Sequence, residues 1–137
     1  MTYLLDTNVL SETRKRNADP GVREWMSGTP LTAVHLSALT IGEVGRGITK
    51  VRTRGDGRQA DVFAEWLDNV VETYADRIAP VTVDVARAWA DQDLATRGSA
   101  VDQLIAATAK VHGWTVITRN TKDFEHTGVA VINPFTG

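Results

Sequence analysis

Residues 99–118 read SAVDQLIAATAKVHGWTVIT, and this stretch joins a capped helix to a buried strand through one glycine. Ser99 is an N-cap residue type, whose hydroxyl accepts a bond from an orphan N–H of the first helical turn. Residues 100–112 then read as a helix that stops at Gly113, the residue type that most readily adopts the left-handed closing conformation. Residues 114–118 (WTVIT) form a continuous apolar run, as expected of a strand covered on both faces.

The same alternation extends outward. Tyr3-Leu4-Leu5 is a short apolar run that reads as a strand ending at Asp6. Thr7 or Asn8 then serves as the cap of a short helix through Val9, Leu10 and Thr13. Asp19-Pro20 is a second start signal, with Asp as cap and Pro in the first turn of a helix that carries Val22, Trp25 and Met26 and stops at Gly28. Residues 31–36 read as the second strand. Thr40-Ile41-Gly42-Glu43 has capping-box spacing and opens a helix toward Val51. Residues 50–58 (KVRTRGDGR) read as a basic loop or helix end. Residues 59–74 give the clearest amphipathic helix, with Val62, Phe63, Trp66, Leu67, Val70, Val71 and Tyr74 on one face. A brief strand at 78–81 precedes a helix capped by Thr82, bearing Val85, Ala86, Trp89 and Leu94 and ending before Gly98. After residues 114–118 a polar turn, 119–125, leads to a last strand at 129–132, which Asn133-Pro134 terminates. Strands separated by one or two helices imply an α/β fold with a central parallel sheet and helices on both faces. No repeat or linker interrupts the pattern, so one domain over residues 1–137 is expected.

Composition narrows the chemistry. Hydrophobic residues make up 42% and charged residues 23% of the chain, ordinary values for a folded domain. There is no cysteine, which excludes disulfides and thiolate-bound zinc. His35, His112 and His126 are far apart in sequence, so a bound metal is expected to be hard and held by oxygen. The opening MTYLLDTNVLSE is apolar over too few residues for a signal peptide or a membrane span, and a cytoplasmic location is the default expectation. A net charge of −2 argues against a uniformly basic nucleic-acid binder, yet a divalent ion in an acidic site reverses the local field.

Open parallel sheets bind ligands beyond the carboxyl ends of their strands. Asp6 ends the first strand, and Asp123 follows the strand at 114–118. Glu43 and Asp102 fall in first turns of helices. Together they read as four carboxylates converging on one rim. Each also has a purely structural explanation. First-turn acids favour the helix dipole, Glu43 is accounted for by a capping box, and Asp123 by its own turn. Asp6 is the hardest to account for in that way, because it lands at the edge of the core. Phosphodiester hydrolysis requires such a set: magnesium or manganese activates a water and relieves charge on the phosphate, while the ion offsets repulsion among the carboxylates.

The segments LLDTNVLSE (4–12), LTIGEVGRG (39–47), VDQLIAATAKVHG (101–113) and VITRNTKDF (116–124), followed by VAVINPF (129–135), resemble in order the PIN-domain family. The likeness is to VapC-type toxins of type II toxin–antitoxin pairs, in their FitB-like branch, and it spans essentially the whole chain. It implies a three-layer α/β/α fold with a Mg²⁺- or Mn²⁺-dependent endoribonuclease site in which Asp6, Glu43 and Asp102 match the first three acids. Some relatives carry the fourth acid at the position of Asn120. Here that residue is an amide, and Asp123 is favoured, leaving Asn120 as a contact to a metal-bound water or a phosphate. Asn8 and Thr118 are expected to orient the metal-binding acids. The resemblance further implies a homodimer, an RNA substrate and a cognate VapB-type antitoxin through which alone DNA would be bound, with no membrane association. An alternative within the branch is a DNA-bound regulatory subunit with weak or no nuclease activity.

Other classes fit less well. An aspartyl-phosphate phosphotransferase places a second Asp two residues after the first, where this chain has Asn8, and a receiver domain needs an acid pair that only Asp6 partly supplies. A non-catalytic binding module would not need all four acids. Lys50, Arg52, Arg54 and Arg58, together with Arg14, Lys15 and Arg16, read either as phosphate contacts or as solvated surface. Arg46 lies on the same helix face as Glu43 and could reach a phosphate or a partner's carboxylate. Trp25, Trp66, Trp89 and Trp114 read as core rather than as base-stacking platforms, and the histidines carry no catalytic expectation.

Overall fold

Two adjacent leucines set the layering. In the computed structural model, which describes residues 1–136, Leu4 and Leu5 are both fully buried but belong to different apolar clusters. They lie in strand β1 (Tyr3–Leu5), where successive side chains point to opposite faces. Strand β4 (Thr115–Ile117) repeats the division, with Val116 on the side of Leu4 and Ile117 on the side of Leu5. The remaining strands are β2 (Val34–Ser37), β3 (Ile78–Ala79) and β5 (Val131–Ile132). All pairings are parallel, in the order β3-β2-β1-β4-β5.

Helices α1 (Thr7–Thr13), α2 (Pro20–Gly28), α3 (Ala38–Thr53) and α4 (Gly57–Thr73) supply the cluster around Leu5, including Val9, Leu10, Val22, Val44 and Val70. Helix α6 (Ala100–His112) covers the other face with Ile105, Ala106 and Ala109, and α5 (Val83–Ala90) packs against α6. The result is the expected three-layer α/β/α arrangement. Because β2 leaves β1 on one side and β4 returns on the other, the order reverses between β1 and β4. That crevice is where a parallel sheet binds its ligands.

Local signals decide most boundaries, and several differ from the sequence reading. The residue capping α1 is Asp6, whose carboxylate accepts from Thr7 N–H at 2.8 Å, rather than Thr7 or Asn8. Helix α3 opens at Ser37, which accepts from Leu39 N–H at 3.0 Å, so Thr40 to Glu43 is no capping box and Glu43 stands more than one turn into the helix. Strand β2 enters α3 directly, and Ser37, at its last position, is the first hydroxyl available to the free amides. Residues 31–33 form a 3-10 turn, leaving only the end of the expected strand. The basic stretch at 50–58 is mostly helical: α3 runs to Thr53, and a turn through Gly55, at φ 95°, leads to the cap Asp56. Strands β3, β4 and β5 are each shorter than expected. Thr82 caps α5 as expected, but α5 ends at Ala90, and Leu94, outside it, is wholly exposed. Trp89 is also largely exposed and donates to Gln103 Oε1 at 3.0 Å, while Trp25 and Trp66 pack against the larger cluster and Trp114 against the smaller one. Ser99 and Gly113 bound α6 as the sequence indicates.

The C-terminal segment folds back over α2. Asp19 caps that helix through Gly21 N–H (2.8 Å) and Val22 N–H (3.3 Å), and the same carboxylate accepts from Thr136 N–H (3.1 Å) and Thr136 Oγ1 (2.8 Å). Gly21 is required here, since a Cβ at that position would stand 2.1 Å from the carbonyl oxygen of Pro134. Gly21→Ala is therefore expected to destabilise the protein by about 1–3 kcal/mol through overpacking. Urea denaturation checks this, and an unchanged midpoint would show that the segment is not packed on α2.

Candidate functional site

Asp6 stands where β1 ends and α1 begins, on the β1–β4 crevice. Its backbone N–H still donates to Ile117 O of β4 at 2.9 Å, which fixes its position against the neighbouring strand. The carboxylate is 2% exposed. Oδ1 takes the capping bond from Thr7 N–H. Oδ2 accepts from Thr118 Oγ1 at 2.8 Å and from Asn8 Nδ2 at 3.2 Å. Asn8 spans the crevice: its Nδ2 also reaches Thr118 Oγ1 at 3.4 Å, and its Oδ1 accepts from Arg119 N–H at 3.1 Å. The Thr118 hydroxyl in turn accepts from Asn120 N–H at 3.0 Å. One carboxylate is thus oriented by its neighbours Thr7 and Asn8 and by Thr118, 112 positions away, the kind of outer support that fixes a ligand's direction.

Glu43 approaches from α3. Its Oε1 accepts from Thr7 Oγ1 at 2.5 Å, and Thr7 Oγ1 lies 3.3 Å from the hydroxyl of the fully buried Thr40. With no capping role, Glu43 loses the structural explanation that its sequence context offered. Asp102 keeps its own: Oδ2 accepts from Ser99 N–H at 3.1 Å while Asp102 N–H donates to Ser99 Oγ at 3.2 Å, a complete capping box. The box occupies one carboxylate oxygen and aims the group, leaving the other oxygen for a further contact.

Asp123 joins through Gly98. A Cβ built on Gly98 would lie 3.0 Å from Asp102 Cβ and 3.2 Å from Asp123 Cβ, and Gly98 adopts φ 90°. A side chain there would be strained and would press on both acids. Asp123 sits in a 3-10 turn (Thr121–Phe124) with Asn120 just before it. The acids therefore connect along one rim: Asp102 and Glu43 are each within electrostatic reach of Asp6, and Asp123 is beside Asp102 across Gly98. The sequence reading did not single out Thr7, Thr40 or Gly98 as parts of this site. The threonines look like ordinary helix-start residues, and Gly98 like a loop glycine.

The electrostatics follow from burial. Asp6 has its pKa pushed up from 3.8 to about 6, chiefly by burial, with the charges of Asp102 and Glu43 adding to it and the bonds from Thr118 and Thr7 opposing it. A cation at this rim would offset both the burial cost and the repulsion from Asp102 and Glu43, so the donor set fits a hard divalent ion. Among the described residues no three His, Cys, Asp or Glu side chains are gathered closely enough to form a metal cluster by themselves. Such a set suits magnesium, which binds through one or two carboxylates and retains several waters.

The basic residues divide. Arg52 pairs with Asp61 at 2.9 Å and Lys15 with Glu12 at 2.9 Å, and Arg14 lies 3.9 Å over the Phe63 ring. Arg16, Arg46, Lys50, Arg54 and Arg58 are exposed. Next to Glu43 and Thr7, a recess of about 170 Å³ is lined mainly by Val44, Ile48, Val51 and Phe63, with Ser11 and Arg14 at its edge. No helix among the described residues is long and apolar enough to cross a membrane.

Comparison with known proteins agrees with this fold. The PIN domain family profile matches residues 3–130. The chain is 35% identical over 138 aligned positions to VapC ribonuclease Y4jK of Sinorhizobium fredii, covering 96% of each. It is 37% identical to Toxin FitB of Neisseria gonorrhoeae, over 96% of this chain and 97% of that one. The crystal structure of FitAcB from Neisseria gonorrhoeae superposes with a TM-score of 0.86 at 34% identity, covering 97% of this chain and 98% of that one.

Burial of Asp6 makes a signed prediction for the metal-free protein. A folded-state pKa above the unfolded one stabilises the fold fully below pH ~4, and that contribution is lost as the pH rises through ~6. In EDTA, stability is expected to fall across that window by at most about 3 kcal/mol relative to Asp6→Asn. Thermal melts of both proteins from pH 4 to 7 measure the difference, and parallel curves would show that Asp6 is not the group responsible.

Proposed function

We propose that this chain, which belongs to the PIN-domain family among its VapC- and FitB-type members, is a metal-dependent endoribonuclease and the toxin of a toxin–antitoxin pair. The observation that carries this reading is the buried Asp6 carboxylate, oriented by Thr118 and Asn8 and crowded by the charges of Glu43 and Asp102. Burying an ionised carboxylate beside two like charges costs a folded domain stability, whereas a metal-assisted hydrolase needs such a set.

Asp6, Glu43, Asp102 and Asp123 would hold Mg²⁺ or Mn²⁺, one or two of them directly and the others through its retained waters, with Asp123 rather than Asn120 as the fourth acid because it adjoins Asp102 across Gly98. The chemistry a bound ion supplies is a water of lowered pKa and charge relief on the phosphate. The chain's own residues prepare the geometry. Thr118 and Asn8 hold Asp6 in one rotamer. Thr7, backed by Thr40, holds Glu43 toward the same rim, and the Ser99 box does the same for Asp102. Because these donors are fixed before substrate arrives, little reorganisation remains for the reaction.

The apolar recess beside Glu43 is our candidate seat for an antitoxin segment, which would cover the rim as it binds. Homodimerisation, and contact with DNA only through that partner, complete the reading. The relatives named VapC ribonuclease and Toxin FitB support the toxin role.

In a mixed cellular RNA pool, the purified chain is expected to cut RNA with Mg²⁺ or Mn²⁺ and not with EDTA. Asp6→Asn should lose at least about a hundredfold of that rate, the scale set by removing one well-placed electrostatic group. A second readout does not depend on activity: Mg²⁺ should raise the melting temperature of the wild-type protein and much less that of Asp6→Asn. Folded wild-type protein that neither cuts RNA nor responds to either ion would overturn the assignment.

Thr118→Val tests the support of Asp6. It removes the hydroxyl at nearly constant shape and is expected to lower the cutting rate by about tenfold. Unchanged kinetics in a folded variant would mean that Asp6 needs no such orientation.

A further inference from the structure

Immediately past Thr118, Arg119, Asn120, Thr121, Lys122 and Asp123 line a hollow of about 340 Å³. It starts one residue from the hydroxyl that holds Asp6 and ends at the acid beside Asp102. Two cations, an amide and a hydroxyl therefore border the acidic rim. Among the described residues, the side chains of Arg119, Asn120, Thr121 and Lys122 form no ion pair or hydrogen bond with the protein, whereas Lys15, Arg52 and Arg77 each pair with an acid.

Arg119 is nevertheless held in place. Its guanidinium carbon lies 4.8 Å from the centroid of the Phe135 ring. Phe135 is half-buried against the larger core cluster, and its N–H donates to Asn133 Oδ1 at 3.0 Å. On either side of it, Pro134 presses its carbonyl on Gly21 and Thr136 is bonded to Asp19, so the ring is fixed at both ends. The Arg119 backbone is fixed as well, through its N–H to Asn8 Oδ1. An aromatic ring takes the flat face of a guanidinium and leaves its in-plane N–H donors free, the geometry that suits a phosphate.

We propose that Arg119, positioned by Phe135 and assisted by Lys122, binds an RNA phosphate adjacent to the one that reacts at the acidic rim. The inference rests on the ribonuclease reading of that rim. A polyanion laid across clustered carboxylates is repelled unless fixed positive charge stands next to them, and this hollow has the only arginine among the described residues that is both bonded to the Asp6 support and stacked on a ring. An acidic segment of a partner protein would be the rival occupant, but the recess beside Glu43, where we seat the partner, is mainly apolar with Arg14 at its edge and shares no lining residue with this hollow. Phe135 acts through Arg119 and is a positioning residue.

The experiment measures binding and cutting separately. Binding of a short fluorescent single-stranded RNA is followed by anisotropy in EDTA at several salt concentrations, using the non-cutting Asp6→Asn protein with and without Arg119→Ala, Arg119→Lys, Lys122→Ala or Phe135→Leu. Arg119→Ala is expected to weaken binding about tenfold and to reduce the slope of log affinity against log salt by roughly 0.7, the value for one lost phosphate contact on a single strand. Arg119→Lys should keep the slope while losing part of the affinity. Phe135→Leu, which retains an apolar side chain, should cost about threefold in affinity at unchanged slope. In the cutting assay the same substitutions in otherwise wild-type protein should raise KM with little change in kcat. Melting temperatures show that each variant is folded.

If wild type cuts RNA and Asp6→Asn does not, yet Arg119→Ala binds RNA with the original affinity and salt slope, the proposal fails while the site reading stands. An Arg119→Ala that weakens only the capture of the partner protein assigns the hollow to an acidic segment and likewise overturns it. Wild-type protein that neither cuts nor binds RNA ends both.

Discussion

Asp6 accepts hydrogen bonds from Thr7, Asn8 and Thr118, and through them one carboxylate joins the end of β1, the start of α1 and the end of β4. The arrangement at the rim depends on this junction. It sets the direction of α1 by capping it, and it holds the two strands at the point where the sheet order reverses. The same burial that makes the junction specific also makes the ionised group unfavourable, since desolvation and two neighbouring acids oppose its charge. Structure and charge therefore compete at a single residue, a conflict that the proposed cation would relieve.

The other acids combine these demands in different ways. Asp102 serves two ends at once: the capping box uses one oxygen and stabilises α6, and the contact with Gly98 places the group beside Asp123. Glu43 has no structural duty in its helix, and its hydrogen bond comes from Thr7 of a different element. A capping acid is retained whether or not the protein is active, so its presence is weak evidence of function. An acid that is crowded by like charge and caps nothing is stronger evidence. On that measure Glu43, which caps nothing, points to a site more firmly than Asp102, while Asp6 caps α1 and is also crowded by two acids.

The C-terminal segment extends the same logic to the edge of the site. Asp19 caps α2 and also ties down Thr136, so the start of one helix and the end of the described chain share a carboxylate. Between them Phe135 offers a face to Arg119. A long flexible side chain loses substantial conformational entropy when a ligand immobilises it. Stacking it beforehand lowers that cost, which gives a physical reason for docking a short tail so close to the crevice.

Much of the fold was legible because its signals are local. Ser99, Gly113, Thr82 and the Asp19-Pro20 pair mark helix ends by chemistry that acts within a few residues, and the apolar runs at Leu4-Leu5 and 115–117 mark strands. The same signals placed Asp6 at a strand end, where parallel sheets bind ligands. Local reading failed where two hydroxyls competed to start one helix: Thr40 had the better motif, yet Ser37 stood first after the strand. The sequence alone determined the alternation of strands and helices and the absence of cysteine, and it singled out the four acids proposed for the site. Only the tertiary structure decided the order β3-β2-β1-β4-β5, the burial of Asp6, the meeting of Thr7 with Glu43 and the need for glycine at position 98. Those contacts join residues as many as 112 positions apart, and no pattern within a few turns of chain specifies which distant side chains will meet once the sheet has closed.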